Sequence, residues 1–559
     1  MWRRSTAGFR GGGPLGKSEP GTIGGWRVGA TGRLTGDTLG SLQTLDRHFF
    51  VVQTPDGPRV ATGGEATLGG PPSTDSLPLL AHVPALTPDA LGDPGFQAAY
   101  GVRVNYVAGA MANGIGSTEL VIAMARSGML GFFGAAGLST SRIRAAIDEI
   151  QREVGDLPYG FNLIHSPAEP HQEQETVDLY LERGVHNVST SAYLGLTPMV
   201  VQYRVSGIHR GPDGQIAVPN RLLAKISRPE VAEKFLRPAP AKILAQLVEA
   251  GRITAEEARL AAEVPMADDL TAEADSGGHT DNRPLPVLLP LIRSLRDRIA
   301  PGVRVGVAGG LGTPDAVAAA FALGAAYVVT GTVNQACVEA GTSPMVKELL
   351  ADAGMADVGM APASDMFEAG VHVQVLKRGT LFAMRGQQLY ALYRDHDSLD
   401  DIDPAVLAKV EKQVLRKSVG EVWNACASFF AERDPTQLER AARDPRHKMA
   451  LVFRWYLGLS SRWAIGGDES RKMDCQIWCG PCIGAFNDWT AGTFLAEPAR
   501  RSVVVVGANL MAGAAAISRA RILLQSGVDP GPAALKWTPR PLSQPAIPRT
   551  ASREAHVHP

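Results

Sequence analysis

Two glycine-rich turns late in the chain could do chemistry: Ala308-Gly309-Gly310-Leu311-Gly312 and Thr330-Gly331-Thr332, each following a short apolar run. Peptide N–H groups of Gly309, Gly310, Gly331 and Thr332 can converge on one phosphate, because a helix start exposes unpaired donors and a positive dipole end. Glycine recurs after other apolar runs, in Ala110-Met111-Ala112-Asn113-Gly114, Gly134-Ala135-Ala136-Gly137, Gly160-Phe161-Asn162 and Ser276-Gly277-Gly278-His279. Such positions let backbone approach a ligand closely or adopt positive φ. The pattern points to a phosphate-bearing cofactor, with plain tight turns as the alternative. No Gly-x-Gly-x-x-Gly opens a helix with an acidic residue roughly 20 positions on, so a Rossmann dinucleotide site is not indicated.

Two further groupings invite a metal or redox reading. Cys475, Cys479 and Cys482 have the spacing of an iron–sulfur site, and Cys479-Gly480-Pro481-Cys482 matches a dithiol motif. Both normally sit near the first strand of their own folds, whereas these follow the barrel-like pattern and several helices, so neither is expected. His165, His171 and Asp178 match no ligand pattern, and the histidines read as solvated loop residues. No metal site is expected.

The elements that must position these residues alternate from Gly101 onward. Apolar runs at Val104–Ala108, Leu130–Phe133, Tyr159–Leu163, Val185–Val188, Leu222–Ile226, Leu270–Ala274, Val303–Val307 and Ala326–Val329 are each followed by a helical pattern. Repeated βα units imply a parallel sheet covered by helices, enough here to close a (β/α)8 TIM barrel, with an open doubly wound sheet as the rival. In such barrels the chemistry sits at the C-terminal strand ends, and the last two loops form a recurrent phosphate site. Ser117, Ser139 and Thr313-Pro314 mark helix starts. Residues 229–268 are too long for one helix; Ile243–Ala250 and Ala255–Ala262 read as two amphipathic helices of an insertion on the active face. Upstream, His48–Val52 and Arg59–Ala61 flank Thr54-Pro55-Asp56-Gly57, a β-hairpin signal. The expected organisation is a disordered tail (1–25), a β-rich segment (26–95), the barrel (96–395), a helical C-terminal domain (396–530) and a second disordered tail (531–559).

Composition narrows the class. The 559 residues carry 55 Lys+Arg against 56 Asp+Glu and are 45% hydrophobic, an ordinary globular balance that disfavours nucleic-acid binding. Five cysteines fit a reducing cytoplasm and not a disulfide scaffold. No uninterrupted apolar run reaches the ~18 residues a membrane helix needs. The nearest, Val503 to Ile517, is broken by Gly507, Asn509 and Gly513. The N-terminus lacks the apolar core of a secretory signal.

Taken together, Met111-Ala112-Asn113-Gly114, Gly160-Phe161-Asn162, Gly277-Gly278-His279, Ala308-Gly309-Gly310 and Gly331-Thr332 resemble the nitronate monooxygenase/2-nitropropane dioxygenase superfamily, which includes flavin enoyl-thioester reductases. Ala224-Lys225-Ile226-Ser227-Arg228-Pro229-Glu230, the inserted helices, Ala274–Pro284 and Gln476-Ile477-Trp478-Cys479-Gly480-Pro481 resemble its PfaD-like subgroup, trans-acting enoyl reductases of polyunsaturated fatty acid and polyketide synthases. The resemblance implies FMN as cofactor, NADPH as reductant and an enoyl thioester on an acyl carrier protein as substrate. It implies cofactor contacts from Met111, Ala112, Asn113, Asn162, Lys225, Gly277, Gly278, Ala308, Gly309, Gly310, Gly331 and Thr332. Lys225 would place positive charge by the N1/C2 edge of the flavin. His279 would be the catalytic group, polarising the thioester oxygen or giving a proton, since its pKa can be tuned toward neutrality. Asp275 and Asp281, which bracket it, would orient the ring. The insertion would wall an acyl tunnel or meet a partner. Lys377, Arg378, Arg385, Arg462, Arg471 and Lys472 would form a docking surface for the acidic carrier protein, and a homodimer is compatible with all of this. Nitronate oxidation on the same cofactor bed, and a non-catalytic barrel component of a synthase assembly, are the rival functions.

Overall fold

A computed structural model describes residues 21–166 and 170–542. They divide into two units, one drawn from Met1–Pro88 and Ala512–Trp537, the other from Asp89–Met511 and Thr538–Pro559. The first unit holds a six-stranded antiparallel sheet in the order Arg33–Thr35, Gly57–Thr62, Phe49–Thr54, Leu77–Val83, Gly24–Arg27, Glu65–Leu68. The expected hairpin supplies its second and third strands: Thr54 pairs with Gly57 across the tight Pro55-Asp56 turn. One face packs Phe49, Val51, Val60 and Leu80 against Ala520 and Leu523.

In the second unit, eight parallel strands close into a barrel: Tyr106–Ala108, Leu130–Phe133, Gly160–Ile164, Asn187–Ser191, Arg221–Ile226, Asp269–Glu273, Arg304–Ala308 and Val328–Thr330. Each overlaps one of the apolar runs, the fourth only at Asn187 and Val188, and the doubly wound alternative is excluded by closure. The helix starts were readable because the caps are local. Ser117, Ser139 and Thr313 accept the N–H of Leu120, Arg142 and Ala316, satisfying donors a helix start leaves free. The N-terminal end of the barrel is plugged by helix Pro94–Tyr100. Its Phe96 stacks on Tyr327 with ring centroids 4.2 Å apart, and Tyr100 donates to the buried Asp269, which also pairs with Arg304 at 2.7 Å.

Four expectations need correction. Helix Pro229–Leu236 already carries the chain from the end of strand five back along the barrel, packed on strand five and on helix Leu285–Ile299. Helices Ala241–Glu249 and Ala255–Ala261 therefore enter after that return, against helix Pro198–Val205 and before strand six. Glu257 accepts the N–H of Gly207 at 2.6 Å, and Ala267 bonds back to Phe235. The insertion thus lies on the outer ring toward the N-terminal strand ends, not on the active face. Secondly, Val503 to Ile517 is unbroken: helix Val503–Gln525 is long and apolar enough to cross a membrane, and most of it is buried. Asn509 does not interrupt it because its amide donates to Val505 and Arg540 carbonyls at 3.0 Å, while Gly507 makes room for the Tyr106 ring. Thirdly, parts of the two expected tails are structured. Residues 1–20 and 543–559 lie outside the described residues, but Gly24 and Gly25 are in the sheet. Ala534 in the 3-10 turn Pro532–Leu535 is buried.

The fourth concerns residues 341–395, expected within the barrel. They contribute strands Val358–Pro362 and His372–Leu376, which form a separate three-stranded antiparallel sheet with Gly278–His279. Beyond them the helices Phe382–Asp395, Pro404–Val410, Val419–Arg433, Thr436–Arg443 and Pro445–Gly466 follow. A shared core of Phe382, Leu389, Val422, Phe453 and Tyr456 holds several of them to the His372–Leu376 strand.

Candidate active site

Register brings the strand-end residues together. Lys225 lies beside Thr271, Glu273 beside Ala308, Ala308 beside Val329, and Thr330 beside Ala108. The glycines that follow strands seven and eight therefore begin from adjacent positions. Gly309 and Gly310 both have positive φ, +88° and +74°. A Cβ on Gly309 would lie 2.7 Å from the Ala274 and Asp275 carbonyl oxygens, so its lack of a side chain is required by packing on strand six. At Gly310 and Gly331 a Cβ would meet nothing within 4 Å. These two line open space, which glycine keeps clear for a ligand. That is the cradle a phosphate-bearing cofactor such as FMN needs, and the residues fit it.

A third piece joins the cradle, one that spacing did not reveal. The segment Gly480–Cys482 lies on the same two loops: Gly480 N–H donates to Thr332 Oγ1 at 3.1 Å, and the Cys482 thiol is hydrogen-bonded by Gly310 and Thr332. The cysteines are all free thiols, and no metal-binding group of three or more ligating residues occurs among the described residues. Burial pushes the Cys475 thiol up to about 12 and Cys482 up to about 11, and raises Cys479 as well. Thiols held protonated are poor nucleophiles. Gly277 belongs to the same junction, since a Cβ there would sit 2.7 Å from Cys479 Cα. Gly278, at φ +79°, faces Trp478.

His279 emerges on the edge of the three-stranded sheet, paired with Val373. Its Nε2 lies 3.3 Å from Asp365 Oδ1, with both side chains about half exposed. Burial draws the imidazole pKa down, but the hydrogen bond and charge of Asp365, helped by Glu273, prevail and leave it above its ordinary value. Asp275 and Asp281 do not orient the ring. Asp275 accepts from Asn282 and Gln374 at 2.8 and 2.9 Å, anchoring the loop to the His372–Leu376 strand. Asp281 accepts from Ser227 and, twice at 2.9 Å, from Arg228, which with Ser227 holds its carboxyl down at about 2. Asp365 was missed because nothing in its spacing ties it to His279.

Lys225 is not a lone cation: its Nζ is 2.7 Å from Glu273 Oε1, both mostly shielded. Asn162 is buried and spends its amide on Ser189 O and Ser191 Oγ at 3.1 and 3.0 Å, so its Oδ1 is what it can offer a ligand. In the first loop, Met111 O accepts from Gly116 and Asn113 N–H donates to Ala136, knitting the loop to the one after strand two. Asn113 adopts φ +57°. His171 is exposed, as expected, but His165 is engaged: its Nδ1 lies 3.2 Å from the buried Glu173 and its ring stacks on Tyr193. The expected docking cations are dispersed. Arg385 and Arg471 turn inward onto the buried Asp474, and Arg378 pairs with Asp357.

The His279–Asp365 pair makes a prediction independent of any activity. The folded pKa of His279 is raised, so the pair's stabilisation is fully present below the unfolded value, about 6.5, and lost as pH rises through the folded one. Asp365→Asn should shift the His279 ring titration, followed by NMR, to lower pH. An unmoved titration would mean that Asp365 does not act on His279.

A closed parallel barrel with open glycines at its last two strand ends is a TIM barrel, the fold in which the loops after strands seven and eight recurrently form a phosphate site. Residues 102–390 match the family described as nitronate monooxygenase, more than half of the sequence, and the chain belongs to that family. Residues 396–475 match the inserted helical domain of [acyl-carrier-protein] S-malonyltransferase. The polyketide biosynthesis protein PksE of Bacillus subtilis is 44% identical over 444 residues, 78% of this chain and 58% of that protein. One of the polyunsaturated fatty acid synthase polypeptides of Thraustochytrium sp. is 48% identical over 446 residues, 78% of this chain and 30% of that protein. The chain thus spans less than two thirds of either relative. The crystal structure of the enoyl reductase domain of MlnA, from the macrolactin biosynthesis cluster of Bacillus amyloliquefaciens, superposes with a TM-score of 0.74 at 37% identity, over 78% of this chain and 99% of that one.

Proposed function

We propose that this chain is an FMN-dependent, NADPH-consuming enoyl-thioester reductase, acting in trans in the cytoplasm on acyl chains borne by the acyl carrier protein of a polyunsaturated fatty acid or polyketide synthase. The single observation that carries the reading is His279, paired with Asp365 and set on a strand edge, on the face that also bears the open Gly310 and Gly331 cradle. Its support from relatives is the likeness to an enoyl reductase domain.

Gly309, Gly310, Gly331 and Thr332 would hold the FMN phosphate, with Ala308 beneath them. Met111, Ala112 and Asn113 would offer peptide groups to the ring, Asn162 its Oδ1, and Gly277 and Gly278 a close wall. When bound, FMN supplies a hydride acceptor for the nicotinamide and a hydride donor for the enoyl β-carbon. The remaining work falls to side chains. His279, whose protonated form Asp365 favours, would polarise the thioester oxygen or give a proton to the α-carbon from its other ring nitrogen, Nδ1. Lys225 would keep one charge at the mouth, balanced by Glu273 until a ligand carbonyl competes for its remaining N–H donors.

The test is a visible spectrum of the purified protein, then anaerobic mixing with NADPH and a crotonyl thioester. Bleaching by NADPH and recovery on adding the thioester are expected. No flavin absorbance, even after FMN is added, would overturn the reading in favour of a non-catalytic role. Oxygen uptake with an alkyl nitronate, and no NADPH oxidation, would replace it with nitronate oxidation.

A further inference from the structure

A cavity of about 400 Å³ opens between the loops after strands five and six, at the starts of helices Pro229–Leu236 and Leu285–Ile299. Its lining combines Arg228 and Arg283 with Ser227, Pro284, Val287 and Leu291. Arg228 presents only Nε and Nη2 to Asp281, leaving the Nη1 side of its fork unspent. The Arg283 guanidinium has no hydrogen-bond partner among the described residues, and it is close enough to help depress the Asp281 carboxyl. Val287 and Leu291, one helical turn apart, are 63% and 48% exposed and lie in the same lining as the two cations. The two chemistries thus lie side by side: planar donors suited to a phosphate and a small aliphatic wall.

The cavity stands next to the proposed catalytic groups. Arg228 is three residues beyond Lys225 and Arg283 four beyond His279. At the chain's greatest extension those backbones are at most about 11 Å and about 14 Å apart. A ligand held here by a phosphate could reach the barrel mouth with an arm of modest length.

We infer that this cavity is the docking subsite for a 4′-phosphopantetheine arm, its phosphodiester on Arg228 and Arg283 and its gem-dimethyl group on Val287 and Leu291. The inference rests on the reductase reading and adds where the thioester's carrier arm is gripped. The same arm occurs on coenzyme A and on a carrier protein, and the shared chemistry is what the site reads. Glu230, also in the lining, would disfavour a ligand bearing more than one compact charge and so favours the diester.

The test compares Arg283→Ala with the unmodified protein on three crotonyl thioesters: of N-acetylcysteamine, which lacks the phosphate, of coenzyme A, and of a carrier protein. KM should rise about tenfold for the latter two, the loss of one charge-assisted contact, with kcat unchanged and the N-acetylcysteamine KM unmoved. A rise with the carrier protein alone would mean contact with the protein body, overturning the arm assignment. A rise in the NADPH KM instead would assign the arginines to the coenzyme's phosphate. Equal or absent changes across all three thioesters would also sink the proposal. Should the unmodified protein turn over none of them, the reductase reading fails on its own. Calorimetry with the methyl ester of 4′-phosphopantetheine, a singly charged diester like the carrier-bound arm, then decides the cavity: binding that Arg283→Ala abolishes sustains it, and no binding ends it.

Discussion

Replacing His279 with alanine is expected to lower kcat for an enoyl thioester by roughly 10²–10⁴-fold, the usual worth of a positioned acid. The effect should fall on the step that consumes the thioester. The groups that would grip FMN lie mainly on other loops, so flavin content and the rate of bleaching by NADPH should be close to unaltered. Loss of His279 leaves Asp365 at the surface without its cation, which solvent tolerates at that exposure, and the fold should survive. Asp365→Asn should behave as a milder version: a more acidic imidazole, less of it protonated at neutral pH, and an alkaline limb of kcat/KM moved to lower pH. The check is stopped-flow re-oxidation by crotonyl thioester. A variant without His279 that re-oxidises at the native rate would take the residue out of the mechanism.

The second large effect concerns stability. Asp474→Ala is expected to destabilise the protein by about 3–5 kcal/mol, as removal of one member of a buried ion cluster does. Asp474 is fully buried beneath Arg385, Arg471 at 3.2 Å, Arg416 at 3.4 Å and the Tyr456 hydroxyl at 2.9 Å. Arg385 and Arg471 are themselves little exposed, so neither can recover its hydration by turning outward. Arg471 also donates to the Val414 and Leu415 carbonyls, which ties the residues before helix Val419–Arg433 to the same point. A loss of that size is a large share of a typical stability of ~5–15 kcal/mol. Urea denaturation should show it as a lowered midpoint, and a shift worth under about 1 kcal/mol would show that the three guanidiniums do not depend on Asp474.

Much of the scaffold was legible because its causes are local. A run such as Leu130–Phe133 is apolar, short and followed by a capping serine, and those facts travel with the segment wherever it is placed. The glycines at 309, 310 and 331 were legible for a related reason: only a few backbone environments use them, and they follow strands already identified. The strand His372–Leu376 could have been read from its alternation of Val373, Val375 and their polar neighbours, but Val358–Pro362 contains glycine and proline and gives no such signal.

What the amino-acid order determined by itself was the succession of strands and helices, their caps and the sites where backbone can bend back. Which side chains meet was decided only in three dimensions. Asp365 reaches His279 because a second sheet forms over the mouth, Glu273 meets Lys225 because strands five and six are neighbours, and Cys482 rests on Gly310 because a distant helix starts there. The insertion faces away from the mouth for the same kind of reason, since a return helix had already carried the chain to the other end. Propensity and capping act over a few residues, whereas pairing between loops depends on barrel closure, and no spacing in a linear chain encodes that.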